Sequence, residues 1–186
     1  MNLIGMDFES VIRLYYEDLY RFAFGLSRNR DDAGDLTQQA FAIYAAKRGQ
    51  VRDQSRLKQW LFTTLYREFL RVREQRCRVV SLEDPEHALE ELEASEGVDW
   101  SVEHGELLNA LMGLEVAHRE VLTLFYLSQH SYKDIAEILD VPAGTVMSRL
   151  SRAKEVLRKR LDAVRQNPGI TRLPPPSHEG KASSNG

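Results

Sequence analysis

Residues 131–161 read SYKDIAEILDVPAGTVMSRLSRAKEVLRKRL, and their side chains are laid out to touch nucleic acid. Thr145, Ser148, Arg149, Ser151 and Arg152 fall on the outward side of a helix whose other side carries Val146, Leu150, Ala153 and Leu157. Short hydroxyls near a helix N-terminus, followed by arginines, suit base edges and phosphates in a major groove. The backbone amides of Gly144 and Thr145 open that helix and are expected to meet a phosphate. Residues 141–165 hold seven Lys+Arg against two Asp+Glu, so the local field is positive. A solvated helical hairpin has the same composition but does not require the same turn. Here Ile135, Ala136 and Leu139 pattern a short first helix, the small Ala136 permits a close crossing, and Asp140–Val141–Pro142 ends it.

A second basic set lies upstream. Arg67, Arg71, Arg73, Arg76 and Arg78 follow one another within twelve residues, and residues 47–78 hold ten bases against three acids. Before them runs the polar loop GQVRDQSR, residues 49–56, in which Gln50, Arg52, Asp53 and Gln54 offer donors and acceptors. The bland reading of these arginines is a solvated helix face; their excess favours DNA. Enzymatic chemistry is harder to find. His87 with Glu90, Glu91 and Glu93 is the nearest approach to a metal set, and no second histidine stands at ligand spacing. No catalytic residue, metal site or cofactor is expected. The single Cys77 excludes an internal disulfide and fits a reducing compartment.

The elements that must position these residues are all helical. Phe8, Val11, Ile12, Tyr15, Leu19, Phe22, Ala23 and Leu26 step by threes and fours, which predicts an amphipathic helix. Asn29 and Asp31 carry N-cap chemistry for a second helix, with Leu36, Ala40, Phe41 and Tyr44 on its buried stripe and its end near Gly49. Ser55 is a candidate cap for a third helix over about residues 56–78. The formal charge of the 186 residues is −3, which argues against a generic nucleic-acid binder until it is divided. Residues 1–80 hold 14 Lys+Arg and 10 Asp+Glu, residues 81–106 hold 10 acids and no Lys or Arg, and residues 107–165 hold 9 bases and 7 acids. We therefore expect an all-α protein with two small helical domains, 1–80 and 107–165, joined by a flexible acidic linker at 81–106. A short helix at residues 87–94 is allowed within the linker, and the Pro-, Ser- and Gly-containing tail at 166–186 is expected to be disordered. No apolar run approaches the roughly 20 residues needed to span a bilayer. The N-terminus does not read as a signal peptide, and the expected location is the cytoplasm.

Two stretches together carry a family resemblance. DIAEILDVPAGTVMSRLSRAKEVL resembles region four of bacterial sigma factors, and DDAGDLTQQAFAIYAAK with RLKQWLFTTLYREFLRVREQR resembles region two. Their order and the short linker resemble the extracytoplasmic-function group of the sigma-70 family, over about residues 8–165. The resemblance implies a factor that binds core RNA polymerase, directs it to specific promoter DNA and helps open it, without catalysis of its own. It implies a polymerase-facing surface of Asp35, Gln38, Gln39 and Phe41, although Phe41 has an equal claim to the core. It implies that the loop with Gln50, Arg52, Asp53 and Gln54 captures a flipped base, and that Arg67, Arg71 and Arg73 hold phosphates near Trp60. Gly144, Thr145, Met147, Ser148, Arg149, Ser151 and Arg152 become the reading surface, with Met147 and Ser151 replacing groups common in relatives. Thr63, Thr64 and Arg67 likewise depart from the family pattern after Trp60. An anti-sigma partner is implied, and no membrane insertion. The other reading is a helix-turn-helix regulator acting without polymerase, which leaves DLTQQAF and the Trp60 helix without a task.

Overall fold

The computed structural model describes residues 7–51, 53–83 and 105–166. Helix α1 spans Phe8–Ser27, and the Asp7 side chain caps it by accepting from Ser10 N at 2.7 Å. Arg28, with φ 58°, turns the chain in the left-handed region, and its amide closes on the Phe24 carbonyl. Helix α2 covers Arg30–Lys47; the Asn29 carboxamide accepts from the amides of both Asp31 and Asp32, satisfying two donors that a helix start leaves open. Asn29 is thus the cap, and Asp31 lies inside the helix. Two single 3-10 turns, Arg48–Gln50 and Gln54–Arg56, lead into α3, Leu57–Glu83. Ser55 does not cap it. The Asp53 carboxylate instead accepts from Ser55 N at 2.9 Å and from Ser55 Oγ at 2.5 Å.

In the second half α4 spans Gly105–Met112 and α5 Val116–Leu122, which continues as one π-helical turn, Thr123–Leu127. Helix α6, Tyr132–Leu139, opens on a capping box: Ser131 Oγ accepts from Asp134 N, and the Asp134 carboxylate accepts from Ser131 N. Asp140 takes φ 54°, and Pro142 ends the turn by accepting from the amides of Thr145 and Val146 at the start of α7, Ala143–Gln166. No strand occurs among the described residues. Helix α3 runs five residues past Arg78, and α4 begins two residues before the expected domain start. The rest of the acidic segment, including His87 and its glutamates, and the tail beyond Gln166 lie outside the described residues.

The first bundle packs Val11, Leu19, Phe22 and Ala23 of α1 against Ala33 and Ala40 of α2 and Leu57, Leu61, Phe62 and Leu65 of α3. The second packs Leu114, Val121 and Leu124 against Ile135 and Ile138 of α6 and Val146, Leu150 and Ala153 of α7. These buried residues form one continuous cluster, because the α5–π segment lies on α1 and α6 lies on α3. The small Gly25 marks that crossing: a Cβ there would lie 3.0 Å from Thr123 Oγ1.

Candidate nucleic-acid interface

Three surfaces are available. The first is a cavity of about 490 Å³ between the end of α2, the residue 48–56 turns and α3. Its lining includes Ile43, Lys47, Val51, Asp53, Arg56, Trp60, Thr64, Arg67 and Glu68. Trp60 forms an apolar wall and is itself steadied by Tyr44, ring centroids 6.0 Å apart. Asp53 lines the cavity, and its hydrogen bonds from Ser55 hold the carboxyl below its usual range, so it is an acceptor at neutral pH. The backbones of Gln50 and Gln54 lie in the two turns, and Arg52 is outside the described residues.

The structure divides the arginines of α3, which the sequence presents as one row. Arg67 is exposed and lines the cavity. Arg71 is exposed beside it, with Nη2 2.7 Å from Glu68, another cavity residue. Arg73 is exposed on a different side, close enough to Glu120 of α5 for its charge to favour that carboxylate. Arg76 grips Asp32 of α2 with two hydrogen bonds of 2.7 and 2.8 Å, and Arg78 pairs with Glu74. Arg76 therefore ties α3 to α2, while Arg67 and Arg71 remain beside the cavity.

On α2, Asp35, Gln38 and Gln39 are exposed on one face. Phe41 is not with them. It is 5% exposed and stacks on Tyr16 at 6.4 Å, so the apolar stripe claims it and it supports the surface from beneath.

The third surface is the helix-turn-helix of α6 and α7. Gly144, Met147, Ser148, Ser151 and Arg152 are exposed, and Met147 is 56% exposed despite its apolar side chain. Thr145 is half-buried and its amide is spent on Pro142 O at 2.9 Å, so it is not the phosphate donor that its position suggested. Ser148 Oγ donates to the Thr145 carbonyl at 3.0 Å. Arg149 is half-buried, with Nη1 3.8 Å from Glu120. Among the described residues no group of three His, Cys, Asp or Glu could hold a metal, and no helix is long and apolar enough to cross a membrane.

This layout is matched by two family models: sigma-70 region 2 over residues 11–78 and sigma-70 region 4 over residues 104–157. The chain is 35% identical to the ECF RNA polymerase sigma factor EcfG of Rhodopseudomonas palustris, over 75% of this chain and 76% of that protein. The chain belongs to the ECF RNA polymerase sigma factors. It is 28% identical to SigM of Bacillus subtilis, over 82% of this chain and 94% of that one. Among solved structures, the sigma factor RpoE of Bartonella quintana, in complex with the anti-sigma factor NepR, superposes with a TM-score of 0.67 at 32% identity, covering 84% of this chain and 97% of the other. This sigma factor binds core RNA polymerase, directs it to promoters and assists DNA opening; it is not an enzyme. The regulator reading falls, because the region 2 match gives the first half its task.

The sequence did not single out Arg119, Glu120 and His130. They are 2%, 4% and 5% exposed. Arg119 Nε donates to the Gly25 carbonyl at 2.7 Å, and the Tyr66 hydroxyl lies 3.2 Å from Glu120. Burial pushes the Glu120 carboxyl up to about 7, against the opposing pull of Tyr66, Arg149, Arg73 and Arg119. Burial, with the Lys58 charge, pushes the His130 imidazole down to about 4. The signal was present in VAHREVLTLFYL, where two adjacent charges interrupt an otherwise apolar run.

Proposed function

We propose that the two halves divide promoter recognition, with residues 1–80 and 107–165 as the working units. Arg67 and Arg71 hold backbone phosphates of the opening strand, and Arg73, turned toward Glu120 on a different side of α3, is left out of that contact. The cavity beside Trp60 takes one unstacked base. Its volume of about 490 Å³ is the observation that carries this reading, because pockets for small ligands run from about 300 to 1,000 Å³. Asp53, an acceptor at neutral pH, orients the base together with Gln50, Arg52 and Gln54 of the same loop. The α7 face of Gly144, Thr145, Met147, Ser148, Arg149, Ser151 and Arg152 reads the upstream element as duplex. Asp35, Gln38 and Gln39 engage core polymerase, with Phe41 holding their helix in place from below. Tethering two recognition units raises the effective concentration of the second once the first is bound. The factor works in the cytoplasm and binds an anti-sigma protein, as the sigma factor RpoE of Bartonella quintana is found in complex with the anti-sigma factor NepR.

The test is reconstituted transcription with core polymerase, read beside the fluorescence of a 2-aminopurine placed in the melting element. Asp53→Ala is expected to bind polymerase normally and to lose the unstacking signal. An unchanged signal refutes the assignment of the cavity.

A further inference from the structure

Glu120 is an acid that packing alone does not call for. It stands near the end of α5, in the seam between the two halves, and is 4% exposed, so its charged form is costly to keep. Its two carboxylate oxygens have different neighbours. The Tyr66 hydroxyl of α3 lies 3.2 Å from Oε1, and Arg149 brings its Nη1 to 3.8 Å from Oε2. Arg149 belongs to α7, the reading helix, against which α5 packs. The pair of Glu120 and Arg149 is thus internal to the reading half.

The groups that face Glu120 are Tyr66 and Arg73 from α3, Arg149 from α7, and Arg119 from α5 itself. Arg119 is spent on the backbone carbonyls of Gly25 and Leu114, and Arg73 is exposed on a different helix. Of the three arginines only Arg149 stands on the face turned to DNA, between the exposed Ser148 and Ser151 in the helix. Its side chain keeps 31% of its surface exposed, so the carboxylate holds it without hiding it. Such a hold matters for one kind of contact. A phosphate asks an arginine for charge and carries no sequence information. The O6 and N7 of a guanine ask for two parallel N–H groups in a set plane. A guanidinium backed by a fixed carboxylate is prepared for the second task.

We propose that Glu120 is a positioning residue for promoter reading: it sets the guanidinium plane of Arg149 for bidentate contact with one guanine of the upstream element. The inference rests on the promoter-reading assignment of α7 above. Its test uses the full chain and a duplex carrying the upstream element of a promoter that the factor transcribes. Each guanine in turn is replaced by 7-deazaguanine, which lacks the N7 acceptor, and affinity is read by fluorescence anisotropy at fixed salt. The wild-type protein is expected to lose at least about fivefold at one guanine. Glu120→Gln, which keeps an oxygen for Tyr66, is expected to bind the unmodified duplex more weakly and to ignore the replacement at that guanine. In an Arg149→Ala background Glu120→Gln is expected to change nothing further, because the two residues act as one unit. An equal loss in both backgrounds marks a structural role and overturns the proposal. So does a wild-type protein indifferent to every replacement, with Arg149→Ala lowering the salt slope by about one, since Arg149 then holds a phosphate. A further reading needs no variant at position 120. The wild-type preference for guanine over 7-deazaguanine is expected to rise between pH 6 and 8 as Glu120 ionises. A preference flat over that range overturns the proposal. If Arg149→Ala and Arg152→Ala both leave binding unchanged, the α7 assignment itself falls, and the proposal with it. If Arg149→Ala weakens binding and Glu120→Gln does not, the proposal alone falls.

Discussion

Replacing Glu120 by Gln isolates the electrostatics of the seam. Gln keeps an oxygen for the Tyr66 hydroxyl and removes the only charge at position 120. In the folded protein Glu120 titrates at about 7, against 4.5 for an unperturbed glutamate. A raised carboxyl stabilises the fold fully below the unfolded value, and that contribution is lost as pH climbs through the folded one. At 1.36 kcal/mol per pH unit, ionising Glu120 costs about 3 kcal/mol of stability above pH 8 and under about 1 kcal/mol at pH 5. His130 runs the other way: its folded value of about 4 lies below the ordinary 6.5, so stability is lost as pH falls through that window. The two penalties are similar in size and opposite in slope, so between about pH 4.5 and 6.5 their slopes nearly cancel and leave a flat combined cost of about 3 kcal/mol. Urea denaturation followed by circular dichroism at pH 5, 6, 7 and 8 reads the balance. Relative to wild type, Glu120→Gln is expected to gain about 2 kcal/mol more at pH 7 than at pH 5, with little further gain above pH 8. It is also expected to expose the falling slope of His130 on the acid side. Parallel profiles for Glu120→Gln and wild type across pH 5–8 refute the argument that this carboxyl is held desolvated in the seam.

Four further outcomes follow from single contacts. Arg149→Ala is expected to weaken binding of the upstream-element duplex by about 1–3 kcal/mol, read by fluorescence anisotropy at fixed salt. Ser131→Ala removes one side of the α6 capping box and is expected to cost about 1 kcal/mol in denaturant unfolding, with core-polymerase affinity unchanged. Phe41→Ala is expected to cost about 3–5 kcal/mol of stability, whereas Gln38→Ala leaves the unfolding midpoint alone and lowers core-polymerase affinity in a pull-down titration. Arg76→Ala breaks the exposed pair with Asp32 and is expected to cost no more than about 1 kcal/mol, without loss of promoter opening by permanganate footprinting.

The helices and their order were legible because local chemistry specifies them. Val11, Leu19 and Phe22 are buried where their spacing puts them, Asn29 caps α2, and Pro142 ends the turn before α7. On α7, Thr145 stands apart from its neighbours because the turn itself uses its amide. Periodicity shows that a face is buried but not what covers it, so the seam did not show. Phe62, Leu124 and Ile138 look like the core of their own halves, yet they belong to one continuous cluster. The arginines of α3 were overcounted for a related reason. Spacing puts Arg71 and Arg78 near one another, but Arg76 is claimed by Asp32, 44 residues earlier in the chain, and Arg73 faces the second half.

The contacts between the two halves differ in kind from those within each bundle. An apolar contact exposed to water loses about 25 cal/mol for each Å² uncovered, and nothing in water replaces it. A hydrogen bond from Lys58 to the Ser128 carbonyl, or from Gln59 to Glu137, is exchanged when the halves part for bonds to water, at a net cost near 1 kcal/mol each. Glu120 gains outright, because hydration relieves the burial that raises its carboxyl. His130 is relieved as well, since its Nε2 is buried without a hydrogen-bond partner while the halves are packed. The apolar contacts within each bundle, such as Leu19 and Phe22 against Leu61 and Leu65, receive no such compensation. The contact between the halves carries apolar side chains as well, Phe62, Leu124 and Ile138 in one continuous cluster, so its polar groups lower the cost of parting the halves without removing it.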